Sequence, residues 1–224
     1  ATVEVIALLK LTPVLIDVEP DTFNIDIDAL KKAITPKTKA IVPVHLFGLC
    51  ANMEAVMSIA KEHNLFVIED TAQAIGANYT FADGRKQKVG TIGHVGTTSF
   101  FPSKNLGCYG DGGAIFTNDD ALAHTIRGMV NHGMYKRYYH DVVGVNSRLD
   151  SIQAAVLKTK LPLLDEYCDA RRDAARYYNN AFAQNSNIST PTTKSNVTAN
   201  CGEICDSCDC HVFHQYTLKI TNGK

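Results

Sequence analysis

The sequence carries almost no excess of charge. Lysine and arginine total 22 against 23 aspartates and glutamates, a formal net charge of -1. No basic stripe is present to hold nucleic acid or anionic lipid, and no acidic block marks a disordered tail. Long hydrophobic runs are missing as well. The first apolar stretch, residues 3–18, is interrupted by Glu4, Lys10 and Pro13 and ends in no small-residue cleavage pattern. It reads as a buried helix followed by a strand rather than a targeting segment. No run is apolar for long enough to span a bilayer. With no secretory signal, the seven cysteines do not read as a disulfide framework, and the expected location is the cytoplasm. No internal repeat is visible.

What is present fits an ordinary folded domain. Hydrophobic residues make up 45% of 224 and charged residues 20%. That is enough chain to bury one large α/β domain or slightly more.

Hydrophobic patterning predicts alternating strands and helices. Residues 14–18 read as a buried strand. Residues 26–34 read as a helix, with Ile27, Leu30 and Ile34 at spacings of three and four. Strands follow at 40–44 and 65–68, with a helix at 53–63 between them. This alternation predicts a mostly parallel sheet with crossover helices. Ligands gather beyond the carboxyl ends of such strands, and Asp70 directly follows one of them. Residues 79–90 form a polar excursion turning at Asp83-Gly84. Strands at 95–101 and 113–117 flank Lys104. Helices are expected at 119–130, capped by Asn118 or Asp119, at 149–160, and from Pro162 to about 183. Residues 131–147 and 185–200 read as loops, and 211–220 as a strand.

Three segments supply unusual chemistry together. The first is Thr98-Ser99-Phe100-Phe101-Pro102-Ser103-Lys104-Asn105-Leu106-Gly107, the second the glycine tract Gly110-Asp111-Gly112-Gly113, and the third Glu69-Asp70-Thr71-Ala72-Gln73-Ala74. They offer an amine that can form an imine, a carboxylate for a ring nitrogen, an amide for a ring hydroxyl and a hydroxyl for a phosphate. These are the parts that hold pyridoxal 5'-phosphate. Lysines are mostly solvated surface charges, but two phenylalanines and a proline ahead of Lys104 argue against a plain exposed helix face. The bland reading of Asp70 is a helix N-cap. Gln73 lies three residues on, one helical turn from Asp70, so both can face the same ring.

These segments, with Asp17-Val18-Glu19-Pro20-Asp21-Thr22-Phe23-Asn24, Val42-Pro43-Val44-His45-Leu46-Phe47-Gly48 and Gly144-Val145-Asn146-Ser147-Arg148-Leu149-Asp150, closely resemble the DegT/DnrJ/EryC1/StrS family. Its members are sugar aminotransferases of the fold-type I pyridoxal phosphate class. The resemblance runs over nearly the whole chain. It implies an α/β fold with a mostly parallel sheet, a smaller C-terminal domain, and a homodimer with sites at the subunit interface. Residues 1–160 would belong to the large cofactor-binding domain and 161–224 to the start of the small one. The reaction implied is amino transfer from L-glutamate to a keto group of a nucleotide-linked sugar, in surface polysaccharide or lipopolysaccharide O-antigen synthesis.

By the same resemblance, Lys104 joins the cofactor covalently and Asp70 faces the pyridine nitrogen. Gln73 lies near the ring hydroxyl, Ser99 reaches the phosphate, and Asn146 reaches the phosphate of the neighbouring subunit. The bland readings are a surface amide for Gln73, a locally paired strand hydroxyl for Ser99, and a left-handed loop residue for Asn146. Arg148 has two readings side by side: a grip on a substrate anion, or an interface salt bridge. The wording around Lys104 and Arg148 looks most like the branch that aminates a UDP-linked 3-keto glucuronate sugar, with Arg148 on the uronate carboxylate. Dehydrating relatives carry histidine where this chain has Lys104. A non-catalytic fragment acting through its dimer surface is the reading from another class.

Two departures from the family pattern stand out. The phosphate-binding Gly-Thr/Ser turn and the ring-stacking aromatic have no counterpart after Ala1, and the rest of the small domain has none before Lys224. The chain therefore reads as the middle of a longer protein, weak or inactive by itself. The second departure is the cluster Cys201, Cys205, Cys208, Cys210, His211 and His214. Its residue types can bind zinc, but Cys208-x-Cys210 is tighter than the usual C-x2-C knuckle. The favoured reading is a cysteine-rich loop with no metal.

Overall fold

A computed structural model describes residues 2–192 and 209–221. The elements run in chain order as helices α1 (Thr2–Leu8) and α2 (Ile27–Ala33), strand β1 (Ala40–Ile41), helix α3 (Met53–His63), strands β2 (Phe66–Asp70), β3 (Asn78–Thr80), β4 (Lys86–Lys88), β5 (Val95–Ser99) and β6 (Gly113–Phe116). Then come helix α4 (Asp120–Met129), strands β7 (Met134–Lys136) and β8 (Tyr139–His140), helices α5 (Ser151–Lys160) and α6 (Leu164–Phe182), and strands β9 (Ile188–Ser189) and β10 (Lys219–Ile220).

The central sheet has the order β1-β2-β5-β6. β1–β2 and β2–β5 are parallel, and β6 returns antiparallel to β5. The expected mostly parallel sheet is thus present, with an antiparallel edge. Helix α3 is the crossover between β1 and β2. Asn52 caps it by accepting from the Ala55 N–H, and Asn64 ends it in the left-handed region at φ 53°. Its buried residues Met53, Val56, Ile59 and Ala60 fall on one face, packed on β1 and β2. Each large side chain there contributes about 1.5–3 kcal/mol by leaving water, so Val56→Asp would undo that seam. The helix at 120–129 is capped by Asp119 rather than Asn118, with its carboxylate accepting from Ala121 and Leu122 N–H. The polar excursion is the β3–β4 hairpin, with Gly84 at φ 84° in its turn.

Three expectations fail. Residues 14–18 form no strand. They find no partner ladder among the described residues, and only Val18 makes an isolated bridge to Ile25. Nor is the stretch buried: α1 has no buried residue, and Val14 and Leu15 are 66% and 79% exposed. Residues 211–220 are not one strand either; only Lys219–Ile220 pairs, with β9. Ahead of it the chain runs beside residues 47–50. Cys50 N–H donates to Cys210 C=O, Val212 N–H to Gly48 C=O, and Gln215 N–H to Phe47 C=O. The first two make an isolated antiparallel bridge between His211 and Leu49, which does not extend into a ladder. Finally, residues 131–147 are not all loop, since they contain the β7–β8 hairpin.

Pro162 marks only a tightened turn, Leu161–Leu163, between α5 and α6. Among the described residues, no helix is long and apolar enough to cross a membrane.

Candidate functional site at the carboxyl ends of β2 and β5

Strand alternation decides which way each residue of β2 points. Val67 and Glu69 are buried, while Phe66, Ile68 and Asp70 point to the other face. A glutamate therefore occupies a core position beside a site aspartate. Glu69 is fully buried and accepts four hydrogen bonds: His45 Nε2 (3.0 Å) and Gly90 N–H (2.7 Å) at Oε2, Ile92 N–H (2.7 Å) and Gly93 N–H (2.6 Å) at Oε1. His45 Nδ1 accepts from the Ala51 N–H at 3.0 Å, so Nε2 is the nitrogen that donates to Glu69. Burial alone pushes the Glu69 carboxyl up. The His45 hydrogen bond, with the Gly93 and Gly90 amides, outweighs it and holds the group below its ordinary value.

The same histidine fixes the strand end. His45 N–H donates to Asp70 C=O at 3.1 Å, and Asp70 N–H donates to Pro43 C=O at 2.9 Å. Asp70 is half-buried. Its Oδ1 accepts from the Ala72 N–H (3.0 Å) and its Oδ2 from the Thr2 hydroxyl (2.7 Å). The Ala72 bond is the capping role foreseen for any aspartate here, but what it caps is a series of turns. Residues 72–76 are not helical. Asp70 and Gln73 are accordingly not one helical turn apart. Gln73 instead uses Oε1 to accept the Phe47 N–H at 2.6 Å, leaving its amide hydrogens for another acceptor.

β5 lies beside β2, with Asp70 opposite Thr97 and Ser99 two residues further on. Ser99 Oγ accepts from the Phe101 N–H at 3.2 Å, the local pairing foreseen for it, and that bond leaves the hydroxyl hydrogen uncommitted. The chain then turns, with Lys104 N–H donating to Phe101 C=O at 2.9 Å. Gly107 closes the turn because a Cβ there would lie 2.4 Å from the Pro102 carbonyl oxygen. Lys104 is half-buried, and among the described residues no salt bridge or side-chain hydrogen bond engages its ammonium.

The strap of residues 209–216 closes over this end. Asn105 Nδ2 donates to Val212 C=O, which turns Asn105 Oδ1 toward His214 Nδ1 at 3.1 Å. Nδ1 therefore carries the hydrogen and Nε2 the lone pair. Burial pulls His214 down to about 4, helped by the charges of Lys104 and Arg171. Gly48, at φ +101°, lets the strap pass. A Cβ there would sit 2.9 Å from the His214 nitrogen and 3.1 Å from the Gln73 carbonyl oxygen. Gln73, Gly48, His214 and Lys104 thus share one neighbourhood.

Asn146 and Arg148 are exposed, on the return from the β7–β8 hairpin. Arg148 Nε donates to Asn146 Oδ1 at 2.9 Å. Asn146 is not left-handed; its backbone bridges to Asn131. Of the possible zinc ligands, Cys201, Cys205 and Cys208 fall outside the described residues. Among the described residues, no group of three or more His, Cys, Asp or Glu could hold a metal ion. His211 Nδ1 accepts from the Phe213 N–H. Sequence reasoning had missed Thr2, His45, Glu69 and His214 as site neighbours. Only Glu69 left a usable sign, a carboxylate in phase with buried Val67.

Known proteins resemble this chain along its whole length. It is 45% identical over 222 residues to the UDP-2-acetamido-2-deoxy-3-oxo-D-glucuronate aminotransferase of Pseudomonas aeruginosa, covering 99% of this chain and 57% of that one. It is 48% identical over 219 residues to the pleiotropic regulatory protein of Geobacillus stearothermophilus, covering 98% and 55%. The crystal structure of NtdA from Bacillus subtilis with bound cofactor PMP superposes with a TM-score of 0.82 at 29% identity, covering 98% of this chain and 46% of that one. The chain thus spans about half the length of the relatives it matches. A family profile matches residues 1–224, and the chain belongs to the DegT/DnrJ/EryC1/StrS aminotransferase family.

Proposed function

We propose that the protein carrying this sequence is a pyridoxal 5'-phosphate enzyme that moves an amino group from L-glutamate to the keto group of a nucleotide-linked sugar. One observation carries the reading. An uncommitted amine, Lys104, follows the end of one parallel strand, while a carboxylate, Asp70, closes its neighbour. The donor set suits the cofactor: amine, carboxylate, hydroxyl and free amide hydrogens gather at two adjacent strand ends, where such folds bind ligands. When bound, the cofactor supplies an electron sink for the bond broken at the amino donor.

The chain's own residues then have distinct tasks. Lys104 anchors the group and holds or moves the proton at the donor α-carbon. Asp70 takes the ring N–H. Gln73 offers its amide hydrogens to the ring hydroxyl, and Ser99 its hydroxyl to the phosphate. Asn146 reaches the phosphate of a second copy in a homodimer. Arg148 pairs with the carboxylate of a UDP-linked uronate sugar, the substrate in the name of the Pseudomonas relative. We place the product in surface polysaccharide and lipopolysaccharide synthesis in the cytoplasm. Residues 161–224 are read as the opening of the smaller domain.

The test uses the intact protein. A visible absorption band from bound pyridoxal phosphate is expected, with turnover of glutamate and a UDP-3-keto uronate sugar. Lys104→Ala is expected to lose both. Arg148→Ala is expected to lower the preference for uronate over non-uronate keto sugars, and equal loss on both would remove that role. A regulatory reading, favoured by the name of the Geobacillus relative, requires that the wild type show neither band nor turnover.

A further inference from the structure

The main chain of Asp70 is pinned on both sides, by Pro43 and by His45. That alone does not orient its carboxylate, which still turns about two side-chain bonds. Two donors do so. The Ala72 N–H at Oδ1 comes from two residues away and is available to any aspartate opening a turn. The Thr2 hydroxyl at Oδ2 comes from 68 residues away, at 2.7 Å, from the start of α1. It takes the oxygen that the turn leaves over, so the carboxylate plane is held from both ends. A carboxylate has about four acceptor directions, and two remain open for an incoming N–H.

We infer that Thr2 is a positioning residue: its hydroxyl sets the plane of the Asp70 carboxylate for the ring nitrogen of the cofactor that Lys104 anchors. This rests on the function proposed above. Thr2 is half-buried, at the start of a helix that has no fully buried residue. The hydroxyl bond to Asp70 is its one long-range hydrogen bond among the described residues. A side chain held this way matters through geometry, since a rotated carboxylate still carries its charge but no longer aims a lone pair at the ring.

The experiment is a double-mutant cycle on the intact protein, read by pyridoxal phosphate affinity and by the NMR shift of ¹⁵N in the ring of labelled cofactor. Thr2→Val keeps the shape and removes the donor. It is expected to weaken cofactor retention roughly tenfold, the loss of one hydrogen bond to a charged group, and to move the ring ¹⁵N shift. Thr2→Ser restores both, and the KM for glutamate stays near wild type. In an Asp70→Asn background, Thr2→Val is expected to add little. An unchanged shift and affinity in Thr2→Val overturns the inference, as does an equal loss in the Asp70→Asn background. Should the valine variant melt early, Thr2→Ala run through the same cycle decides between the same two outcomes. A wild type that binds no pyridoxal phosphate at Lys104 sinks the proposed function instead, a result distinct from either.

Discussion

Two regions of this chain are equally apolar in sequence and opposite in structure. The strand ends around Glu69 are packed and wired: His45 and Glu69 are fully buried and every buried side-chain polar atom among the described residues has a partner. Residues 3–18 are open, with Leu8 82% exposed and Leu15 79%. Apolar residues announce that something can be covered, but not what covers them. The strand end is closed by its own neighbours, β5, the 90–93 turn and the 209–216 strap. In the first stretch, Ile16 packs against the core and Val18 bridges to Ile25, while most of its other apolar side chains stay exposed. Exposed apolar groups gathered along one segment mark surfaces that meet partners.

That contrast can be broken most forcefully at Glu69. Glu69→Ala leaves His45 and three backbone N–H groups without an acceptor, and is expected to cost about 3–5 kcal/mol in urea unfolding. A loss under about 1 kcal/mol would mean that water replaces the carboxylate and that the strand end is less sealed than its hydrogen bonds imply.

Acid separates the regions next. Burial holds His211 down at about 3 and His214 at about 4, both well below an ordinary histidine. A depressed histidine costs nothing above the unfolded value near 6.5. Below it the unfolded chain takes up protons that the folded chain refuses, so stability falls from about pH 6.5 down to about 4 for His214 and about 3 for His211. Glu69 acts in the same direction lower down. Its stabilisation is present above the unfolded carboxylate value and is lost as pH falls through the lower folded one. His211→Asn is expected to flatten the pH 6.5–4 slope by a few kcal/mol in unfolding titrations. An unchanged slope would show that the strap already opens in the native state.

The smallest effect belongs to the open region. Leu15→Asp is expected to change monomer stability by no more than about 0.5 kcal/mol, as for a surface site. Its signature would be in sedimentation, as a shift toward smaller species. A large fall in melting temperature without any change in assembly would refute the comparison.

Legibility in the sequence follows the range of the interactions. Helix α3 was readable over residues 53–63 because hydrophobic periodicity acts within a few residues. The Asp83-Gly84 turn and the position of Asp70 after a strand were local too. Gln73 was misread because a turn and a helix share the same three-residue spacing. What stops the helix is the backbone accounting of 71–77, where Ala74 N–H goes to Thr71 and Ala77 N–H to Ala74. The strand at 14–18 was misread because an apolar run says nothing about whether a partner ladder exists.

The sequence by itself determined the alternation of elements, the residue types needed for the chemistry, and their order along the chain. Those depend on neighbours a few bonds away. Only the tertiary structure decided that a glutamate would be buried and paired with His45, that the 209–216 segment would bridge as a strap rather than a strand, and that Thr2 would meet Asp70. Each of these joins residues many positions apart, and each is settled by which groups find an acceptor once water has been excluded.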